Sequence, residues 1–266
     1  MVAVAVAQFN ATEDKAGNLK QITDLVDRAV SRGAHVVVLP EYAGFTAPRM
    51  DDRFVRSAEP IDGPFVTALL GKAQESGAYL VAGFNEAIPG AERVHNTLIA
   101  AAPDGSIAAA YRKLHLYDAF GYAESDHIQP GDIEAPETFT VGGHTFGLQT
   151  CYDLRFPEVT RRIVDAGADT LLLPAEWVPG PLKENHWITL LRARAIENTI
   201  FLAAADQSAP TGAGNSMIVD PMGVVLASLG ESVGTTVAEL STERLAEVRT
   251  KNPALLLRRF SVTPAE

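Results

Sequence analysis

The chain has 266 residues, 47% of them hydrophobic and 21% charged, with one cysteine and a formal net charge of −11. That is ordinary globular composition, long enough to build a sizeable core without covalent staples. One cysteine excludes an intrachain disulfide, and the acidic balance argues against a nucleic-acid partner.

The start, Met1-Val2-Ala3-Val4-Ala5-Val6-Ala7, is apolar but short and has no basic leader. It reads as the buried first strand of a cytoplasmic protein. No later apolar stretch is long enough to span a bilayer, so no membrane partner is expected. Residues 18–31 place Leu19, Ile22, Leu25, Val26, Ala29 and Val30 on one helical face, and Gly33 ends the pattern. Val36-Val37-Val38-Leu39 is a fully apolar strand. Residues 64–76 predict a second helix, closed by Gly77 and followed by the strand Tyr79-Leu80-Val81-Ala82. Strands over 96–102 and 106–111 meet at the turn Pro103-Asp104-Gly105. Gly142-Gly143 signals a further hairpin. Residues 145–150 are extended, and a helical pattern opens at Leu154.

This alternation predicts an α/β fold. A weak repeat is visible within it. The stretch 27–34 leads into Val36-Val37-Val38-Leu39-Pro40, and the stretch 161–168 leads into Thr170-Leu171-Leu172-Leu173-Pro174. Each is a helix, Gly-Ala, an apolar strand and a proline. The reuse predicts two similar halves packed face to face, with sheets covered on both sides. No Pro/Ser-rich linker divides the chain, so residues 1–266 are expected to form a single domain.

Three polar residues stand at strand ends, where α/β folds build their sites. Glu41 follows the apolar run 36–40, Lys113 lies in Tyr111-Arg112-Lys113-Leu114-His115-Leu116, and Cys151 follows Gly147-Leu148-Gln149-Thr150. A lone cysteine is most simply a small buried hydrophobe, Glu41 a solvated acid and Lys113 a surface cation. At a strand-to-helix junction, however, a thiol faces the positive end of a helix dipole and a set of unpaired backbone N–H groups. Both favour the reactive thiolate. The six histidines, at 35, 95, 115, 127, 144 and 186, fall in no protease-like signature. His115, flanked by leucines next to Lys113, is expected to support the site through hydrogen bonds. Scattered histidines and the absence of a second cysteine give no metal site. No glycine-rich phosphate loop follows a strand, so no nucleotide cofactor is expected.

The segments Leu39-Pro40-Glu41, Tyr111-Arg112-Lys113-Leu114-His115-Leu116 and Cys151-Tyr152-Asp153-Leu154-Arg155-Phe156-Pro157-Glu158 together resemble the nitrilase superfamily of carbon–nitrogen hydrolases. So do residues 121–125, His186-Trp187, the stretch 192–198 and the stretch 215–223, although Met222 stands where that family often has tryptophan. The resemblance runs over nearly the whole chain. It implies a four-layer α-β-β-α sandwich and a Glu-Lys-Cys triad formed by Glu41, Lys113 and Cys151. It also implies that Glu124 orients Lys113 and approaches the substrate. The C-terminal tail, about 253–266 with Leu255, Leu256, Leu257 and Phe260, is then expected at a homodimer interface.

The chemistry suits these residue types. A thiolate divides amide hydrolysis into two easier steps through a thioester. Glu41 is expected as the proton carrier, worth about 100- to 10,000-fold. Lys113 and the backbone N–H of Tyr152 are expected to face the developing oxyanion. Tyr42, Tyr117, Phe120, Glu176 and Trp177 are expected as pocket walls, and Trp187, Leu190 and Leu191 as packing. The resemblance points to the amidase branch with ω-amidase-like members, acting on a small linear carboxamide. Nitrile hydrolysis, N-carbamoyl hydrolysis, acyl transfer and a non-catalytic binding role stay open at this point.

Overall fold

The computed structural model describes residues 1–265. The first half runs β1 (Val2–Gln8), α1 (Lys15–Val30), β2 (Val36–Val38), α2 (Asp52–Ser57), α3 (Pro64–Ser76), β3 (Tyr79–Ala87), β4 (Val94–Ala101) and β5 (Ile107–Arg112). The second runs β6 (Thr138–Val141), β7 (His144–Leu148), α4 (Pro157–Asp165), β8 (Thr170–Ala175), α5 (Lys183–Asn198) and β9 (Phe201–Asp206). It continues with β10 (Met217–Val219), β11 (Val225–Ser228), β12 (Gly234–Leu240) and α6 (Thr242–Lys251).

Two six-stranded sheets result, ordered β12-β1-β2-β3-β4-β5 and β11-β10-β9-β8-β7-β6. The two repeated units supply their parallel centres: β2 runs parallel to β1 and β3, and β8 runs parallel to β7 and β9. The central strands and helices of the two halves are therefore laid out alike, as the repeat predicts, while β12 crosses back to complete the first sheet beside β1.

Strand alternation divides the core into layers. Val36 and Val38 pack between the sheets with Val4, Leu98, Phe146, Leu148, Leu172 and Phe201. Val37 and Leu39 point the other way, against Ile22, Leu25, Val66 and Leu69 of α1 and α3. On the far side Leu171 and Leu173 meet Ile163, Trp187 and Leu191 of α4 and α5. This is the four-layer α-β-β-α sandwich, and it explains why the central strands are apolar at every position.

Some boundaries differ from the sequence reading. α1 begins at Lys15 because Asp14 caps it, accepting from the Gly17 amide. β3 continues to Ala87, opposite Val94 of β4, and its polar Glu86 is held by Arg112 at 2.6 Å. The helical pattern at Leu154 belongs to a 3-10 turn over Cys151–Arg155, and α4 starts only at Pro157, the residue preorganised for a first helical position. Gly142 and Gly143 form the expected hairpin turn, both with positive φ (57° and 86°). Beyond α6 the tail leaves Leu256, Leu257 and Phe260 exposed at 87%, 71% and 92%. Glu266, the end of the expected interface tail, lies outside the described residues.

Candidate active site

The site gathers at strand ends from both sheets. Glu41 lies just beyond β2, Lys113 follows β5, Cys151 follows β7, and Glu176 follows β8. Glu41 and Tyr42 pass so close to Gly83 of β3 that a Cβ there would lie 2.9 Å from Glu41 Cα and 2.8 Å from the Tyr42 nitrogen. Only glycine admits that approach. Tyr42 and Cys151 both hold left-handed backbone, with φ of 54° and 41°. Such conformations cost about 1–3 kcal/mol each and persist only where the surroundings over-determine them.

Glu41, Lys113, Glu124 and Cys151 are all buried and line one cavity of about 360 Å³. Lys113 Nζ is 3.0 Å from Glu41 Oε1 and 2.9 Å from Glu124 Oε2. Glu41 Oε1 also accepts from Asn96 at 2.6 Å, and its Oε2 accepts from the Glu176 amide at 2.6 Å. Glu124 accepts from the Tyr42 hydroxyl at 2.8 Å and from the Tyr117 amide at 2.6 Å. Both carboxylates therefore face donors on several sides, which fixes their orientation.

Two carboxylates around one ammonium leave the pocket acidic, and this decides its protonation. Burial works against the Lys113 charge, but Glu124 and Glu41 outweigh it and hold its pKa well above the usual lysine value. Burial and then Glu41 push the Cys151 thiol well above its ordinary value, and the opposing pull of Lys113 does not compensate. The expected resting thiolate is thus corrected. Lys113 is already neutralised by two glutamates, and Cys151 opens a short 3-10 turn rather than an α-helix. Enclosure and then the Glu41 charge raise Glu176 to about 8, so it keeps its proton at neutral pH.

The carbon–nitrogen hydrolase family model matches residues 3–250. The chain belongs to this family. It is 38% identical over 259 residues to the deaminated glutathione amidase of Escherichia coli O157:H7, covering 97% of each chain. Among solved structures it is similar to XC1258 from Xanthomonas campestris, a CN-hydrolase superfamily protein with an arsenic adduct in its active site. That match has a TM-score of 0.87 at 28% identity and covers 99% of each chain. It is also similar to a variant of the Nesterenkonia sp. AN1 amidase showing covalent addition of the acetamide moiety of fluoroacetamide at the active-site cysteine. There the TM-score is 0.81 at 30% identity, over 96% of this chain and 95% of that one.

In this carbon–nitrogen hydrolase the cavity wall includes Tyr42, Tyr117, Glu176 and Trp177, with Tyr152 next to Cys151. Phe120, expected there too, is not part of the wall. It is 67% exposed, and its ring covers Lys183 Nζ (4.9 Å) and Arg155 (5.7 Å) from outside. His115 bonds Asp153 at 2.8 Å, and among the described residues no histidine lines the cavity. Trp187 and Leu191 are fully buried packing residues, while Arg194 pairs with Glu197 at 3.0 Å. Among the described residues no cluster of histidine, cysteine and carboxylate side chains is arranged to hold a metal ion.

The sequence reading missed four contributors to the hydrolase site. Asn96 binds Glu41, and Gln207 donates to the Glu41 carbonyl at 2.8 Å. Asp153 braces the turn after Cys151, and Lys183 lines the cavity. The polar run His95-Asn96-Thr97 opening a strand that is otherwise apolar from Leu98 to Ala101 was the available signal.

Proposed function

We propose that this hydrolase is a cysteine amidase that converts a small linear carboxamide to its carboxylic acid and ammonia through a thioester on Cys151. The observation that carries the reading is the meeting of Glu41, Lys113 and Cys151, all buried, on one cavity with Glu124 behind the lysine.

A thiol that rests protonated beside a carboxylate needs that carboxylate as base at the moment of attack. Glu41 takes the thiol proton while sulfur adds to the amide carbon, and the carbonyl oxygen becomes an oxyanion. Lys113 Nζ and the Tyr152 amide stabilise it, and losing one such donor costs about 3–4 kcal/mol. Glu41 then gives its proton to the nitrogen, the C–N bond breaks, and ammonia leaves. A water molecule adds to the thioester carbon while Glu41 takes its proton. The C–S bond breaks, the proton returns to sulfur, and the acid departs. Glu124 holds Lys113 in place throughout.

The test is ammonia release from short aliphatic amides, α-keto-ω-amides, deaminated glutathione, carbamoyl amino acids and nitriles, with Cys151→Ala beside the wild type. Release from an amide that disappears in the variant is the expected result. Release that survives Cys151→Ala overturns the assignment, and release from nitriles or carbamoyl compounds alone moves the chain to another branch.

A further inference from the structure

We propose that Glu176 is a positioning residue for the base Glu41, through a ring of hydrogen bonds that leaves Glu41, runs through the Glu176 side chain and returns to Glu41. The ring closes only when that side chain donates as well as accepts. This role rests on the amidase reading above, in which Glu41 moves the protons.

At the Glu41 carboxylate, Oε2 accepts from the Glu176 amide at 2.6 Å. At the Glu41 backbone, the carbonyl accepts from Gln207 Nε2 at 2.8 Å. Between these two points, Gln207 Oε1 accepts from the Ala11 amide at 2.8 Å, and the Ala11 carbonyl accepts from Asn10 Nδ2 at 2.6 Å. Asn10 Oδ1 accepts from the Thr211 hydroxyl at 3.0 Å. That hydroxyl is within hydrogen-bond reach of the Glu176 carboxyl, which completes the circuit. The ring joins the segments that follow β1, β2, β8 and β9, so it ties both halves of the molecule around the base.

Each bond has a fixed direction. The Ala11 amide can only donate and its carbonyl can only accept, which orients Gln207 and Asn10. Asn10 therefore turns its oxygen to Thr211, and the single hydroxyl hydrogen of Thr211 is committed there. Toward Glu176, Thr211 has lone pairs to offer, so Glu176 supplies the hydrogen as a neutral acid. The same carboxyl accepts from the Thr46 hydroxyl, 2.9 Å from one oxygen and 3.1 Å from the other. Thr46 is fully buried, five residues after Glu41. Residue 176 thus holds the Glu41 segment at two points, by its amide and by its side chain.

The surroundings keep this acid neutral. Glu41, Asp206, the Tyr42 phenol and Lys113 face it. Asp206 is bound by the Trp177 and Ala213 amides at 2.7 and 3.1 Å. Enclosure and then Glu41 outweigh the pull of Lys113, so Glu176 ionises at about 8. Ionisation removes the donated hydrogen and sets a carboxylate against the Thr211 lone pairs. The ring opens, and Glu41 loses part of its fixing.

The test compares Glu176→Ala, Glu176→Gln and Thr211→Val with wild type. On a good amide, Glu176→Ala and Thr211→Val lower kcat about 10- to 100-fold with much less change in KM, the loss expected when a catalytic group shifts by up to about 1 Å. Glu176→Gln, whose amide both donates and accepts, recovers most of that loss. From about pH 7 to pH 9, wild-type kcat declines with a midpoint near 8, and Glu176→Gln lacks that decline. Alkylation of Cys151 by iodoacetamide at neutral pH reads the same base without an amide substrate and ranks the four proteins in the same order. Wild-type kcat and alkylation in Glu176→Ala overturn the proposal, as does a Glu176→Gln protein that is as impaired as Glu176→Ala or shares the alkaline decline. If circular dichroism shows Glu176→Ala unfolded, Thr211→Val carries the comparison. If no amide is hydrolysed while the alkylation order holds, the amidase reading fails and the positioning role stands.

Discussion

Asp153, two residues after Cys151, accepts a 2.6 Å hydrogen bond from the hydroxyl of Tyr111, two residues before Lys113. Its other oxygen accepts from the His115 amide at 2.9 Å and lies 2.8 Å from His115 Nδ1. His115 in turn stacks on Phe156 with centroids 3.7 Å apart. One fully buried carboxylate therefore sets the distance between the Lys113 segment and the Cys151 turn. Asp153→Ala leaves these donors unpaired, so we expect a loss of about 1–3 kcal/mol in stability. The kcat should fall at least tenfold, because lysine and thiol lose their relative position. Tyr111→Phe removes one of the bonds and should cost about 1 kcal/mol. Urea melts and ammonia-release rates check both variants, and an Asp153→Ala protein with wild-type kcat would show that the brace is irrelevant to catalysis.

Lys113 sits between two buried glutamates. Lys113→Met leaves both acids facing each other, and breaking a buried pair from one side typically costs about 3–5 kcal/mol. Activity should also vanish with the loss of oxyanion stabilisation. The double variant Lys113→Met/Glu124→Gln should recover much of the stability but none of the activity. Recovery of both would assign Lys113 a purely structural role.

Glu176 gives a pH prediction. Its folded pKa, about 8, lies above the ordinary 4.5, so the folded state holds a proton that the unfolded chain has already released. Between those values the folded state binds more protons, and stability falls as pH rises. The contribution is fully present below about pH 4.5 and is lost through pH 8. Denaturation at pH 5 and pH 8 should therefore show a smaller decline for Glu176→Gln than for wild type. Equal declines would mean that Glu176 ionises normally.

The exposed Leu256, Leu257 and Phe260 give an assembly prediction, because apolar side chains this open usually have a surface to cover them. Light scattering at micromolar concentration should report a homodimer, and deleting residues 254–265 should shift it toward monomer. A monomeric wild type contradicts the expectation.

The two-halved α/β layering was legible in the sequence from local pattern, whereas Glu41, Lys113 and Cys151 were grouped there only by the family resemblance. Apolar strands alternate with amphipathic helices, and each polar residue closes a strand. What depended on three-dimensional enclosure was not legible. The thiol was expected to ionise from its neighbours in sequence, whereas burial and Glu41, 110 positions away along the chain, decide the matter. Lys183, after Gly180-Pro181-Leu182, carried no sequence signal, and the left-handed turn at Leu182 returns it beneath Trp177. Phe120 lies on a loop whose inward and outward faces sequence alone does not distinguish.

The most direct test of the thioester mechanism is intact-mass spectrometry of the enzyme acid-quenched during turnover of a good amide, followed by peptide mapping. The mechanism predicts an adduct of the substrate mass less ammonia on the peptide containing Cys151, absent from Cys151→Ala. An adduct on another residue, or full turnover by Cys151→Ala, would contradict it.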